Sequence, residues 1–136
     1  RDLMASNCGL AEAHLGLNNI PCALEHAETA VEISLETGDK GEEANSRWIL
    51  GKVLREMGEF GKAKEEIEKS ISIGQKAGDM INLQTAYYEY GLLFKAMGDL
   101  PKAKEHLEKA FSEFERMGMK IMVERCRRAL ERQNKG

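Results

Sequence analysis

The chain has 136 residues, of which 42% are hydrophobic, 32% charged and 6% aromatic, with a net charge of −3 and a mean hydropathy of −0.48. That length suits one domain of ordinary size, and no stretch approaches the roughly 18 consecutive apolar residues that a membrane span requires, so no membrane partner is expected. Cys8, Cys22 and Cys126 are odd in number and lack Cys-x-x-Cys spacing, which argues against a disulfide framework and for small buried thiols in a reducing, cytoplasmic setting.

Asn18 and the glycines at 38, 58, 78, 98 and 118 recur every 20 residues. Gly and Asn tolerate the left-handed conformation just past a helix C-terminus, so the spacing predicts seven helices. The first two, at 2–17 and 21–37, share the small residues Ala11, Ala23 and Ala30. Asn19 is placed to cap the second helix, and Pro21 lies in its first turn, where the missing N–H costs least. The third, at 40–57, follows Asp39 and carries Leu50, Val53, Leu54 and Met57 along one side. The fourth, at 60–77, answers with Phe60, Ile67 and Ile71 around the small Ala63. The fifth and sixth, at 80–97 and 100–117, repeat the skeleton as Tyr90-Gly91, Met97-Gly98-Asp99-Leu100, Ala103, Leu107 and Ala110, with Asp79 and Asp99 as caps and Pro101 in phase with Pro21. The seventh, at 120–133, buries Met122, Cys126, Ala129 and Leu130 and leaves Arg125, Arg127, Arg128 and Arg132 solvated. A Gly inside a helix costs about 1 kcal/mol relative to Ala. Gly51 and Gly91, at matching phase, therefore predict a neighbouring helix too close for a side chain.

The spacing of Gly51, Ala63 and Ser70 returns as Gly91, Ala103 and Ala110, and with Ala for Gly as Ala11, Ala23 and Ala30. This pattern resembles the tetratricopeptide repeat. The resemblance implies an all-α, right-handed superhelix of antiparallel helical hairpins. One domain over 1–136 would hold repeats at about 1–39, 40–79 and 80–119 and a capping helix at 120–133. The period departs from the usual 34 or so: it is 40 here, as in the long-period variety attached to large regulatory ATPases, transcription activators and nucleotide cyclases. The bulky aromatic expected four residues before the Gly is Arg47 in the second hairpin and Tyr87 in the third, with Trp48 next door as a candidate filler. The chain begins at Arg1 and is expected to be a segment of a larger regulatory protein.

In such a superhelix the first helix of each hairpin lines the concave side. If Arg47, Leu50, Gly51 and Leu54 face the partner helices, then Asn45, Trp48, Lys52 and Arg55 face the groove. The same phase gives Thr85, Tyr88, Leu92 and Lys95, then Arg125, Arg128 and Arg132, while the first hairpin offers Cys8, Glu12 and Leu15. Aromatics supply large rigid contact area, and Arg and Lys supply charge-assisted hydrogen bonds, so the expected partner is a protein or peptide with an acidic or amphipathic segment. The alternative is that Trp48 fills the core and the cations only solvate the groove. The family's clamp for a C-terminal carboxylate is not expected, because Cys8, Trp48 and Tyr88 stand three residues before the repeat Gly.

Residues 1–68 hold 7 Lys+Arg against 14 Asp+Glu, giving −7, and residues 69–136 hold 13 against 9, giving +4. Opposite ends of the array are expected to carry opposite fields, with solvated helix faces as the alternative. A stack with an exposed apolar end can associate end to end, so a structural spacer or a homo-oligomer formed through exposed terminal repeats is the second expectation. Nucleic acid is disfavoured, because the basic last helix has no interleaved aromatics and the overall charge is negative. Gly58-Glu59-Phe60-Gly61-Lys62 lacks the earlier Gly and the following Ser or Thr of a phosphate loop. His14, His26 and His106 fall on different helices, and no nucleophile, base and orienting group converge. No enzyme activity, catalytic residue, cofactor or metal is expected.

Overall fold

Six residues with positive φ divide the chain: Asn18 at 60° and Gly38, Gly58, Gly78, Gly98 and Gly118 at 69° to 86°. The structure, a computed structural model, describes the backbone of residues 2–135 and the side chains of residues 7–132. Between the turns run α1 (Asp2–Gly16), α2 (Ile20–Thr37), α3 (Lys40–Glu56), α4 (Phe60–Ala77), α5 (Met80–Ala96), α6 (Leu100–Met117) and α7 (Lys120–Lys135). Seven helices and no strand occur among the described residues. Met57 and Met97, expected as the last helical residues of α3 and α5, instead follow them as C-caps.

Three of the four expected caps form. The carboxylates of Asp39, Asp79 and Asp99 accept from the backbone N–H of Glu42 at 3.1 Å, Asn82 at 3.2 Å and Lys102 at 3.3 Å. Asn19 does not cap with its side chain. Its backbone N–H donates to the His14 carbonyl at 2.7 Å, and the preceding turn residue is Asn18 rather than Gly. Pro21 and Pro101 occupy the first turns of α2 and α6.

Each hairpin crosses where side chains are absent or small. A Cβ on Gly51 would lie 2.5 Å from Ile67 Cγ1, and one on Gly91 would lie 2.7 Å from Leu107 Cγ. Ala23, Ala63 and Ala103 are fully buried opposite. Gly74 brings α4 close to α5 as well, since a Cβ there would meet Leu83 Cβ at 3.2 Å. Arg47, standing where an aromatic was expected, is accommodated by charge. Its guanidinium donates to Glu43 and to Glu66, each at 2.7 Å, and so joins α3 to α4. Burial alone would raise the Glu43 pKa, but the hydrogen bonds from Arg47 and Lys40 outweigh it and hold the carboxyl below its ordinary value. The equivalent places hold a hydrogen bond between His26 Nδ1 and Asn7 Oδ1 at 2.8 Å in the first hairpin, and stacked Tyr87 and His106 rings 5.9 Å apart in the third. One register thus closes three hairpins with three chemistries.

Consecutive first helices touch, α1 with α3, α3 with α5 and α5 with α7, whereas α2, α4 and α6 do not contact one another. Wedge-shaped hairpins of this kind accumulate curvature, so the stack is a superhelix with α1, α3, α5 and α7 on its concave side.

Two glycines separate the roles of space and propensity. Gly51→Val should lose about 1–3 kcal/mol through overpacking against Ile67. Gly61, with nothing within 4 Å of its absent Cβ, should gain up to about 1 kcal/mol as Ala. Urea denaturation followed by circular dichroism measures both.

Candidate functional site: the concave face of the first helices

Neighbouring first helices are tied by side chains 34 residues apart. Trp48 Nε1 donates to Asn82 Oδ1 at 3.0 Å, Arg55 Nη1 to Glu89 Oε1 at 2.7 Å, and Lys95 Nζ to the Ala129 carbonyl at 3.1 Å. Two further ties reach back to α1: Asn45 Nδ2 to Cys8 Sγ at 3.6 Å, and Lys52 Nζ to Glu12 Oε2 at 3.4 Å.

These ties divide the eleven expected groove residues into two sets. Asn45, Trp48, Lys52 and Arg55 are engaged with α1 or α5. Trp48 is half-buried, packs against the core around α3, and is held through Asn82, which also bonds Asp79 at 2.8 Å and the Gly41 carbonyl at 3.4 Å. It therefore neither stands free in the groove nor takes the place of Arg47. Thr85 is buried, and its hydroxyl donates to the Ile81 carbonyl at 2.7 Å. The Arg55 and Glu89 side chains are 11% and 4% exposed, which makes this a buried ion pair rather than a surface one.

Tyr88, Leu92, Lys95, Arg125, Arg128 and Arg132 come together. With Ala129 they line an open cavity of about 280 Å³ between α5 and α7. Burial pushes the Tyr88 phenol up, and the charge of Glu89 adds to this while Arg125 and Arg55 oppose it. Lys95 is held below its ordinary pKa, first by burial and second by the charge of Arg132. Arg128 Nε pairs with Glu124 at 3.1 Å, and Arg125 rests on Met122 Sδ at 3.7 Å. Arg132 has no ion pair among the described residues.

Ile81 and Ile121 were not among the groove residues expected from the sequence. Both are exposed, and each lies one turn before an expected groove residue, Thr85 or Arg125. Extending the helical spacing by one turn would have found them. An apolar row on α5 (Ile81, Tyr88, Leu92) thus runs beside a row on α7 made of Ile121, Arg125, Arg128 and Arg132. At the other end of the concave face a cavity of about 300 Å³ is lined by Glu12, Leu15, Gly16, Lys52, Arg55 and Glu56, with mixed charge.

Burial raises the Cys126 thiol to about 12; burial, and then the charges of Glu42 and Glu12, raise Cys8 to about 11, so both stay protonated. His14 stacks on His26 with ring centroids 5.5 Å apart, and His106 lies among Tyr87, Tyr90 and Phe94. No group of three potential metal ligands occurs among the described residues.

The Arg55–Glu89 tie can be replaced from within the chain. Forty residues earlier the same two places hold Leu15 and Ile49, both in the apolar cluster. Arg55→Ala should cost about 3–5 kcal/mol by stranding the Glu89 charge, whereas Arg55→Leu with Glu89→Ile should be neutral or stabilising. Chemical denaturation of the three proteins decides.

A tetratricopeptide-repeat family model matches residues 44–75 and 84–114. Among solved structures, the tetratricopeptide-repeat domain of Arabidopsis FLU superposes with a TM-score of 0.74 at 19% identity, covering 84% of this chain and 96% of that one. The apo form of RapI gives 0.73 at 17% identity over 86% of this chain, which spans 43% of RapI. The N-terminal domain of stress-induced protein-1 from C. elegans gives 0.62 at 19% identity, covering 93% and 94% of the two chains. No curated protein sequence matches significantly. Residues 44–75 and 84–114 are thus similar to tetratricopeptide repeats, and the chain folds as an all-α superhelix of helical hairpins.

Proposed function

We propose that this chain is a protein-interaction module and that the α5–α7 end of its concave face receives an acidic, amphipathic segment of a partner protein. Tetratricopeptide repeats generally serve protein interaction, which supports the class of function. The observation that carries the site is the cavity at Tyr88 and Leu92, where Lys95, Arg125, Arg128 and Arg132 converge. Lys95 is already disfavoured as a cation by burial and by Arg132, so a carboxylate placed between them relieves a repulsion that the free chain carries. The apolar row supplies area, and the arginines supply direction. Because the groove is preformed, the ordering cost of binding falls mainly on the ligand.

The Lys52 and Arg55 half of the face contributes shape rather than free charge, since its cations already hold neighbouring helices. The 40-residue period and the free thiols support a cytoplasmic setting within a larger regulatory protein.

A fluorescent helical peptide with Leu at i, i+4 and i+7 and Glu between them tests the site by anisotropy. Wild type should bind less tightly as salt rises. The triple Arg125→Ala, Arg128→Ala, Arg132→Ala change should weaken binding by about tenfold or more, the equivalent of ~1.4 kcal/mol, and flatten the salt dependence. Tyr88→Ala should weaken binding while keeping the salt slope. Unchanged affinity and slope in the triple variant would overturn the proposal.

A further inference from the structure

The acidic side of the charge asymmetry has a definite location. Glu25, Glu28, Glu32 and Glu36 run along α2, all exposed and none in an ion pair among the described residues. Like charges three and four residues apart destabilise a helix. Glu32 and Glu36 also sit toward the C-terminal end of α2, the negative end of its macrodipole, and no basic residue stands in its last turn. The local fold therefore gains nothing from this stripe. A cationic neighbour would relieve both costs.

The chain contains such a neighbour. The intervals between Glu25, Glu28 and Glu32 equal those between Arg125, Arg128 and Arg132, about 10.5 Å along each helix axis. Each stripe also has an exposed apolar residue on its helix, Leu35 on α2 and Ile121 on α7. Within one molecule the two helices belong to opposite ends of the stack and make no contact, so the stripes can meet only between molecules.

We infer that α2 of one copy of this chain docks along the α7 arginine row of a second copy. The inference rests on reading that row as an anion-binding surface, as in the proposed function, and it assigns one occupant: the chain's own acidic helix. Two different patches meet, so reciprocal docking closes a dimer and one-way docking grows a chain. The Arg128–Glu124 pair is solvent-exposed and screened by water, so exchanging it for an intermolecular pair costs little. An acidic partner segment would compete with α2 for the same row, coupling recognition to assembly.

Sedimentation velocity on the full chain provides the test. At an ionic strength near 0.01 M, where the Debye length is about 30 Å, wild type should associate with rising concentration, and near 1 M, where it is about 3 Å, it should be monomeric. One variant carries Glu25→Lys, Glu28→Lys and Glu32→Lys. The other carries Arg125→Glu, Arg128→Glu and Arg132→Glu. Each should be monomeric alone, and an equimolar mixture should re-form the complex, which also shows that both are folded. A wild type that stays monomeric at low salt, association that survives either reversal, or a mixture that stays monomeric overturns the inference. The α2 variant retains the arginine row, so it should still bind the Leu/Glu peptide. If it does while wild type fails to self-associate, only this inference falls. If peptide binding by wild type is absent too, the proposed function falls with it.

Discussion

Close approach of paired helices is the constraint from which the rest of this structure follows. Gly51 and Gly91 leave no room for a Cβ against Ile67 and Leu107, so α3 lies against α4, and α5 against α6, nearer than ordinary side chains allow. A Gly in mid-helix is unfavourable by about 1 kcal/mol, and the dense contact that it permits must exceed this. Once hairpins form at that spacing, their first helices stack on one another and their second helices splay apart. Curvature is then a consequence of shape. The concave face exists because small residues recur at one phase.

What that face can do depends on how its polar groups are used. Between α1, α3 and α5 they turn toward each other: Lys52 to Glu12, Arg55 to Glu89, Trp48 to Asn82. These contacts set the register between repeats and leave their charges already paired. Between α5 and α7 the tie is a lysine on a backbone carbonyl, which neutralises nothing, and beyond it Arg125 and Arg132 have no ion pair among the described residues while Arg128 pairs within α7 with Glu124. The proposed binding site thus lies where inter-repeat charge pairing is incomplete.

Much of this was legible in the sequence, and the misses have physical reasons. A 20-residue punctuation by Gly and Asn located all seven helices because the left-handed turn residue is a local requirement, independent of tertiary packing. The close approach at Gly51 was legible because a residue that weakens a helix, placed twice at one phase, is tolerated where a neighbouring backbone needs the room. The side of α3 on which Arg55 lies followed from helical phase, but its engagement with Glu89 did not. That contact spans 34 residues, whereas the visible repeat is 40, and the offset between stacked helices has no signature in either one. Arg47 looked like a defect in the core. Glu43 and Glu66 resolve it from two separate helices, which only the folded chain brings together. Asn19 had the chemistry of a cap, yet its backbone N–H closes the preceding turn and its side chain makes no cap bond.

Anion recognition confined to the concave surface between α5 and α7 is the central claim. An NMR titration of isotope-labelled chain with a glutamate-rich amphipathic helix measures this residue by residue. The expected shifts concentrate at Tyr88, Leu92, Arg125, Arg128 and Arg132, with Lys52 and Arg55 unmoved. Shifts centred on the convex helices α4 and α6, or on Lys52 and Arg55 instead of the α7 arginines, would contradict it.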